Sequence, residues 1–216
     1  MKNLRHLPIR LSKAAFTLIE LCVGVGTVLL LVALTTPTLL DVLDANRMTQ
    51  AADLVQGRLT EARGIAVTFA SDVEVRIFRN SITPPVDGGS GQGIQVFRLR
   101  EVDAAAEEGD AEEPLSIEFV PEGDEDPLPN SVGISTSDEF SSLWTLPERT
   151  LVTDQGERPY VAFRFRPDGS TDLAETTSWT LTLVRQPTAD PTVLSKNFVA
   201  LQLDPVTGHI NSFRPE

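Results

Sequence analysis

The chain is poor in cysteine, histidine and positive charge, and each shortage closes off a class of function. Cys22 is the single cysteine among 216 residues. It cannot form an internal disulfide, so it gives no signal of redox compartment. Set among apolar residues, it reads as packing rather than as a nucleophile. The two histidines do not combine into a catalytic group, since His6 lies near the start and His209 stands alone in a turn-forming stretch. Ser90 sits in Gly-Gly-Ser-Gly-Gln, which misses the nucleophile-elbow spacing. The same glycines are not followed by Gly-Lys-Ser/Thr, so they make no phosphate loop. No catalytic constellation emerges, and the reading is a non-enzyme with no cofactor and no metal. Cations are outnumbered, with 18 Lys and Arg against 31 Asp and Glu and a net charge of -13. Four of those cations, Lys2, Arg5, Arg10 and Lys13, fall in residues 1–15, which hold no acid. The rest of the chain is therefore more acidic still, a field that repels nucleic acid and anionic headgroups.

What is present at the front is an apolar run, Phe16 to Leu40, whose one charge is Glu20. As a helix it would measure roughly 37 Å, against a hydrocarbon core of ~30 Å. A carboxylate at the edge of such a run is costly without a partner. An ordinary secretory signal fits poorly, because no small-x-small site followed by a polar start closes the run. Small residues, Ala14 and Ala15, precede it instead. A lipoprotein reading through Cys22 fails because Ile19-Glu20-Leu21 occupies positions that need small residues. Cations before the run and Asp41 and Asp44 after it place residues 1–15 in the cytoplasm and the remainder outside.

Phe16-Thr17-Leu18-Ile19-Glu20-Leu21, after a basic leader and a small residue, resembles the class III signal of the type IV pilin and pseudopilin superfamily. Ala15 stands where that family normally has glycine. The resemblance implies cleavage between Ala15 and Phe16 by a prepilin peptidase, and N-methylation of Phe16. It also implies an assembly role for Glu20, pairing with the N-terminal ammonium of a neighbouring subunit. Pro37 matches a place where the family's helices bend, and a proline there removes a backbone donor. Gly24 and Gly26 are candidates for close helix approach.

Beyond Pro37, Met48, Ala51, Ala52, Val55, Leu59, Ala62, Ala66 and Phe69 recur at helical steps and predict an amphipathic continuation. Gly57 and Gly64 either weaken it or allow close packing. After Ala70 the pattern alternates, predicting strands at Val73–Phe78, Ile94–Arg100, Leu115–Val120, Tyr160–Phe165, Trp179–Val184, Phe198–Leu203 and Ile210–Phe213. Leu59-x-x-Ala62-Arg63-x-x-Ala66, Phe163-Arg164-Phe165-Arg166-Pro167-Asp168-Gly169 and Thr207-Gly208-His209-Ile210 resemble, in that order, elements of the GspH/FimT branch. From Glu101 to Asp126 there are twelve acids and no Lys or Arg. That stretch reads as a solvated, mobile insertion, and Asp124-Glu125-Asp126 lacks the spacing and glycine of a calcium loop.

The expected fold class is α+β: a long N-terminal helix, membrane-spanning in its first half and amphipathic in its second, packed on an antiparallel β-sheet domain. The expected organisation is a cleaved basic leader over 1–15, a transmembrane helix over 16–40 and its amphipathic continuation over 41–70. A periplasmic β-rich pseudopilin domain over 71–216 follows, with the acidic insertion around 101–126. By resemblance, the chain is a minor pseudopilin or pilin of the bacterial inner membrane, single-pass, with its C-terminal domain in the periplasm. It would join a type II secretion pseudopilus or a type IV pilus. Its partners would be the prepilin peptidase and other pilin-like subunits, met through the N-terminal helix. Two alternatives stand beside this: a FimT-like minor pilin that binds DNA in natural transformation, and a single-span protein that is never assembled. DNA capture would draw on Arg158, Arg164, Arg166, Arg185, Lys196 and Arg214, against the acidic excess.

Overall fold

The computed structural model describes residues 17–79, 92–102, 116–153, 156–186, 193–194 and 197–215, with the backbone alone over 34–41 and at 102. One helix, α1 (Leu18–Phe69), opens the described chain. Ten strands follow: β1 (Val73–Phe78), β2 (Gly93–Val102), β3 (Ser116–Pro121), β4 (Asp126–Pro127), β5 (Val132–Ile134), β6 (Arg149–Thr153), β7 (Gly156–Phe165), β8 (Trp179–Arg185), β9 (Phe198–Leu203) and β10 (Ile210–Phe213). A 3-10 turn, Ser142–Thr145, lies between β5 and β6.

By compactness the chain divides into Met1–Val42 and Leu43–Glu216. In the first unit the helical residues from Leu18 to Ala33 are all exposed. They are apolar on every side, so they present no single face for a sheet to cover.

The second unit holds the core. Its helical stripe is buried as the spacing predicts: Met48, Ala51, Ala52, Val55, Leu59, Ala62 and Ala66 join one cluster with residues of the strands. Phe69, assigned to the same stripe, is exposed instead, under the Arg98 guanidinium at 4.0 Å. A Cβ at Gly57 or Gly64 would meet nothing within 4 Å, so neither permits a close approach within the chain. The helix ends where Ala70 takes a positive φ of 46° and the Ser71 N–H donates to Ala66 O at 3.2 Å, a left-handed closure that glycine usually supplies.

The strands form two antiparallel sheets, one of six strands in the order β3-β2-β1-β7-β6 with β4 also on β2, and one of four in the order β10-β9-β8-β5. Odd-numbered residues of β1 and β7 (Val73, Val75, Ile77; Val161, Phe163, Phe165) belong to the core. Register sets Glu74 between Phe97 and Arg164 and Arg76 between Gln95 and Ala162, which puts these even-numbered residues on the opposite face.

The fold-class expectation needs correcting. The chain is not a long N-terminal helix packed on a sheet: strand (38%) exceeds helix (31%), the sheet is curled and a second, short helix is present. Among the described residues no helix is long and apolar enough to cross a membrane, so the expected membrane-spanning first half is not upheld. Among the helical residues whose side chains are described, burial begins at Met48. All seven expected strands form, and β4, β5 and β6 are additional. These three are two, three and five residues long, too short for alternation to be read.

Candidate functional site

Glu20 lies in the first turn of α1. Its N–H donates to Thr17 Oγ1 at 3.3 Å, and the Leu21 N–H donates to Thr17 O at 3.1 Å. Thr17 therefore caps the helix, and Thr17-Leu18-Ile19-Glu20 has the Ser/Thr-x-x-Glu pattern of a capping box. That signal was legible in the sequence and was missed. It gives the carboxylate a local source of stabilisation, the positive end of the helix dipole. Glu20 shares one helix face with Leu21, Gly24, Val25, Val28 and Leu29, around a shallow recess of about 410 Å³. Leu18 is 83% exposed and Leu29 63%, and Cys22 is exposed as well. Ala15, Phe16 and the leader with His6 lie outside the described residues, as do Ser90 and its glycines.

The three motifs that carried the GspH/FimT resemblance come together in the second unit. The Arg63 Nε–H is shared between Thr207 O at 2.9 Å and Gly169 O at 3.3 Å. Each carbonyl belongs to a turn built on a left-handed glycine, Gly169 at φ +84° and Gly208 at φ +65°. Aspartates brace both turns. Asp168 accepts from the Ser170 hydroxyl at 2.6 Å and the Ser170 N–H at 2.9 Å, and Asp204 accepts from the Val206 N–H at 2.9 Å. These hydrogen bonds hold both carboxyls below the usual aspartate range, led by the Ser170 hydroxyl at Asp168 and the Val206 N–H at Asp204. The Thr171 N–H links the turns through Pro205 O at 2.8 Å. His209 is exposed and its N–H donates to Thr207 Oγ1 at 3.3 Å. The motifs thus make a structural clasp.

Where the acidic stretch is described, Glu101, Glu118 and Asp124 are exposed, while Glu122, Glu125 and Asp126 pair with arginines. Arg98 and Arg100 both bond Glu122. Burial would raise the Glu122 carboxyl, and the hydrogen bonds from Arg100 and Arg98 outweigh it, holding the group below the ordinary glutamate value. Asp126 pairs with Arg58, and this bond leads in raising the Arg58 guanidinium further. Glu125 pairs with Arg158 at 2.7 Å, the side chains 8% and 7% exposed. The block Glu107–Glu113 lies outside the described residues. Among the described residues no group of three His, Cys, Asp or Glu is arranged to hold a metal ion.

The sequence reading also missed a charge centre on β1. Glu74 looked like the exposed partner in an alternating strand, yet it is 1% exposed. Arg76 Nε donates to it at 2.7 Å, Arg149 Nη1 at 3.2 Å and Arg164 Nε at 3.3 Å. Aromatic rings flank these guanidiniums, Phe97 at 3.8 Å and Tyr160 at 5.0 Å from Arg76, and Phe119 at 4.7 Å from Arg164. A charged residue between valines was the available signal, but the partners are 75 and 90 positions away along the chain for Arg149 and Arg164. Three of the cations assigned to DNA pair with acids of the fold: Arg158 with Glu125, Arg164 with Glu74 and Arg185 with Asp44. Arg214 donates to Thr49 Oγ1 at 3.1 Å, and Lys196 lies outside the described residues. Compared with protein-family models, curated proteins and solved structures, the chain matches none.

Proposed function

We propose that this chain is a minor subunit of a pilin-like filament, a pseudopilin or type IV pilin of the GspH/FimT kind, with no catalysis of its own. In this reading a prepilin peptidase cuts between Ala15 and Phe16, and Phe16 is then N-methylated. The segment that begins there joins other pilin-like subunits at the bacterial inner membrane, and the β-rich unit lies on the periplasmic side. The observation that carries the reading is the helical stretch after Thr17. Over its described residues, Leu18 to Ala33, it exposes leucine and valine on all sides. A contiguous apolar surface of that kind calls for a partner, whether lipid or neighbouring helices. The capped Glu20 at its start suits the assembly role, because a carboxylate and a newly freed terminal ammonium are complementary charges in a low-dielectric setting.

The test is the mature N-terminus. Mass spectrometry of the chain isolated from cells that carry the peptidase should find N-methyl-Phe16. Retention of Met1, or a start well beyond residue 16, would contradict the proposal. No observation favours the DNA-binding alternative, and three of the six cations it names, Arg158, Arg164 and Arg185, already bond acids of the chain.

A further inference from the structure

The balance of charge at Glu74 is reversed relative to the chain. Acids outnumber cations overall, yet here three guanidiniums converge on one carboxylate. Glu74 is covered, with its side chain 2% exposed, and Arg76 is nearly so at 11%. Arg149 and Arg164 roof the group and keep 49% and 36% of their side chains open to solvent. Each guanidinium carries five N–H donors, and Glu74 accepts one donor nitrogen from each. One arginine would offset a single buried carboxylate, so the arrangement leaves cationic surplus and outward donors at one point. The nearest counterweight named by a bond is Asp172, whose Oδ1 accepts from the Arg164 backbone N–H at 2.8 Å.

From this geometry we infer that Arg149 and Arg164, seated on Glu74 and Arg76, form a recognition point for a carboxylate of an acidic peptide segment on a protein partner. Arginine forks match carboxylates in plane and spacing, and arginine clusters are a recurrent device for acidic motifs. The cluster already holds a carboxylate, Glu74, through one donor nitrogen of each arginine. Phe119, half-buried under Arg164, and Ile117, 64% exposed two residues earlier on the same strand, offer apolar surface beside the charge, as a peptide would use and a free ion would not. A nucleic acid would need many spaced cations, and the cations here sit at one place. The inference does not depend on how the N-terminus is processed or assembled, so either can fail without the other.

The experiment uses the full-length chain in neutral detergent and a labelled twelve-residue peptide that alternates glutamate with small apolar residues, read by fluorescence anisotropy. The matched peptide with glutamine for glutamate is the control. The glutamate peptide should bind and the glutamine peptide should not. Added salt should weaken binding modestly, as expected for one or two charges. In the R149Q/R164Q variant affinity should fall by about tenfold or more, while Arg166→Gln, an exposed arginine outside the cluster, should leave it unchanged. Equal binding of the two peptides, or an unchanged affinity in the double variant, would overturn the inference. Binding of inorganic phosphate without binding of the glutamate peptide would also overturn it, by reassigning the point to small oxyanions. The peptide pair and the salt series need only the wild-type chain, so they decide the matter even if the double variant does not fold.

Discussion

Replacing Glu74 with glutamine should be among the most damaging single changes in the β-rich unit. The substitution keeps the shape of the side chain and removes its charge, leaving three guanidiniums facing an amide. Arg76 donates at 2.7 Å from a largely covered position, where a charge-assisted bond contributes about 1.5–3 kcal/mol. Arg149 and Arg164 are more than a third exposed and their bonds are longer, 3.2 and 3.3 Å, so solvent screening limits each to about 0–1 kcal/mol. Stranding the covered cation adds to these losses, and the whole should come to about 3–5 kcal/mol. That is a large share of a typical domain stability of about 5–15 kcal/mol. Urea unfolding can be followed through Trp144 and Trp179, both buried. Double-mutant cycles should then separate the partners: Glu74→Gln with Arg76→Met should couple more strongly than Glu74→Gln with Arg149→Met. A loss below about 1 kcal/mol, or equal coupling for the two arginines, would refute the ranking by burial and distance.

Gly208→Ala should destabilise. The residue sits at φ +65°, worth about 1–2 kcal/mol against alanine, and the new Cβ would collide with Gly169 O. A thermal melt in which this variant matches the wild type would count against the clasp. Ala70→Gly should act in the opposite sense, raising stability by about 0.5–1 kcal/mol, because alanine already occupies the left-handed region there with φ 46° and glycine adopts it freely. Arg63→Met keeps the aliphatic stem but loses the two carbonyl contacts, and should cost about 1–2 kcal/mol in urea unfolding. The pH dependence follows from Glu122, whose carboxyl is lowered from 4.5 in the folded chain. Its contribution is therefore full above about pH 4.5 and fades as pH falls through the lower folded value. Stability should drop on acidification below that range, and Glu122→Gln should be less stable near neutrality with a shallower acid limb.

Periodicity carried most of the fold. The buried helical stripe from Met48 to Ala66 and all seven expected strands were readable because apolar spacing of three to four residues, then of two, survives in the sequence. Strands β4, β5 and β6 were not, since two to five residues give alternation no room. The failure of the helix-on-sheet expectation has a physical origin too. Leu18 to Ala33 are apolar on every side, which tells of burial without telling of what. Glu74 was misread because alternation assumes one wet face, whereas β1 is covered on both and buries Glu74 and Phe78 along with its valines. Glu122, Glu125 and Asp126 looked solvated because no cation lies near them in sequence. Arg98, Arg100, Arg158 and Arg58 reach them through strand register and helix docking instead.

That pattern of pairing bears on what an acidic chain can recognise. Summed charge predicts repulsion of every anion, but recognition depends on where cations remain after internal pairing. Arg58 faces two acids, Asp126 and Glu61, and Arg158 is enclosed with Glu125. Presenting either outward would require breaking a pair and leaving a carboxylate without its cation, at a cost that grows with burial. At Glu74 the acid is the shared member, and the two outer arginines can engage a second carboxylate without abandoning the first. A chain whose arginines pair with its own acids, as Arg58 and Arg158 do, is poorly built to follow a phosphate backbone. Three on a single acid give it a place at which to hold an acidic side chain from outside.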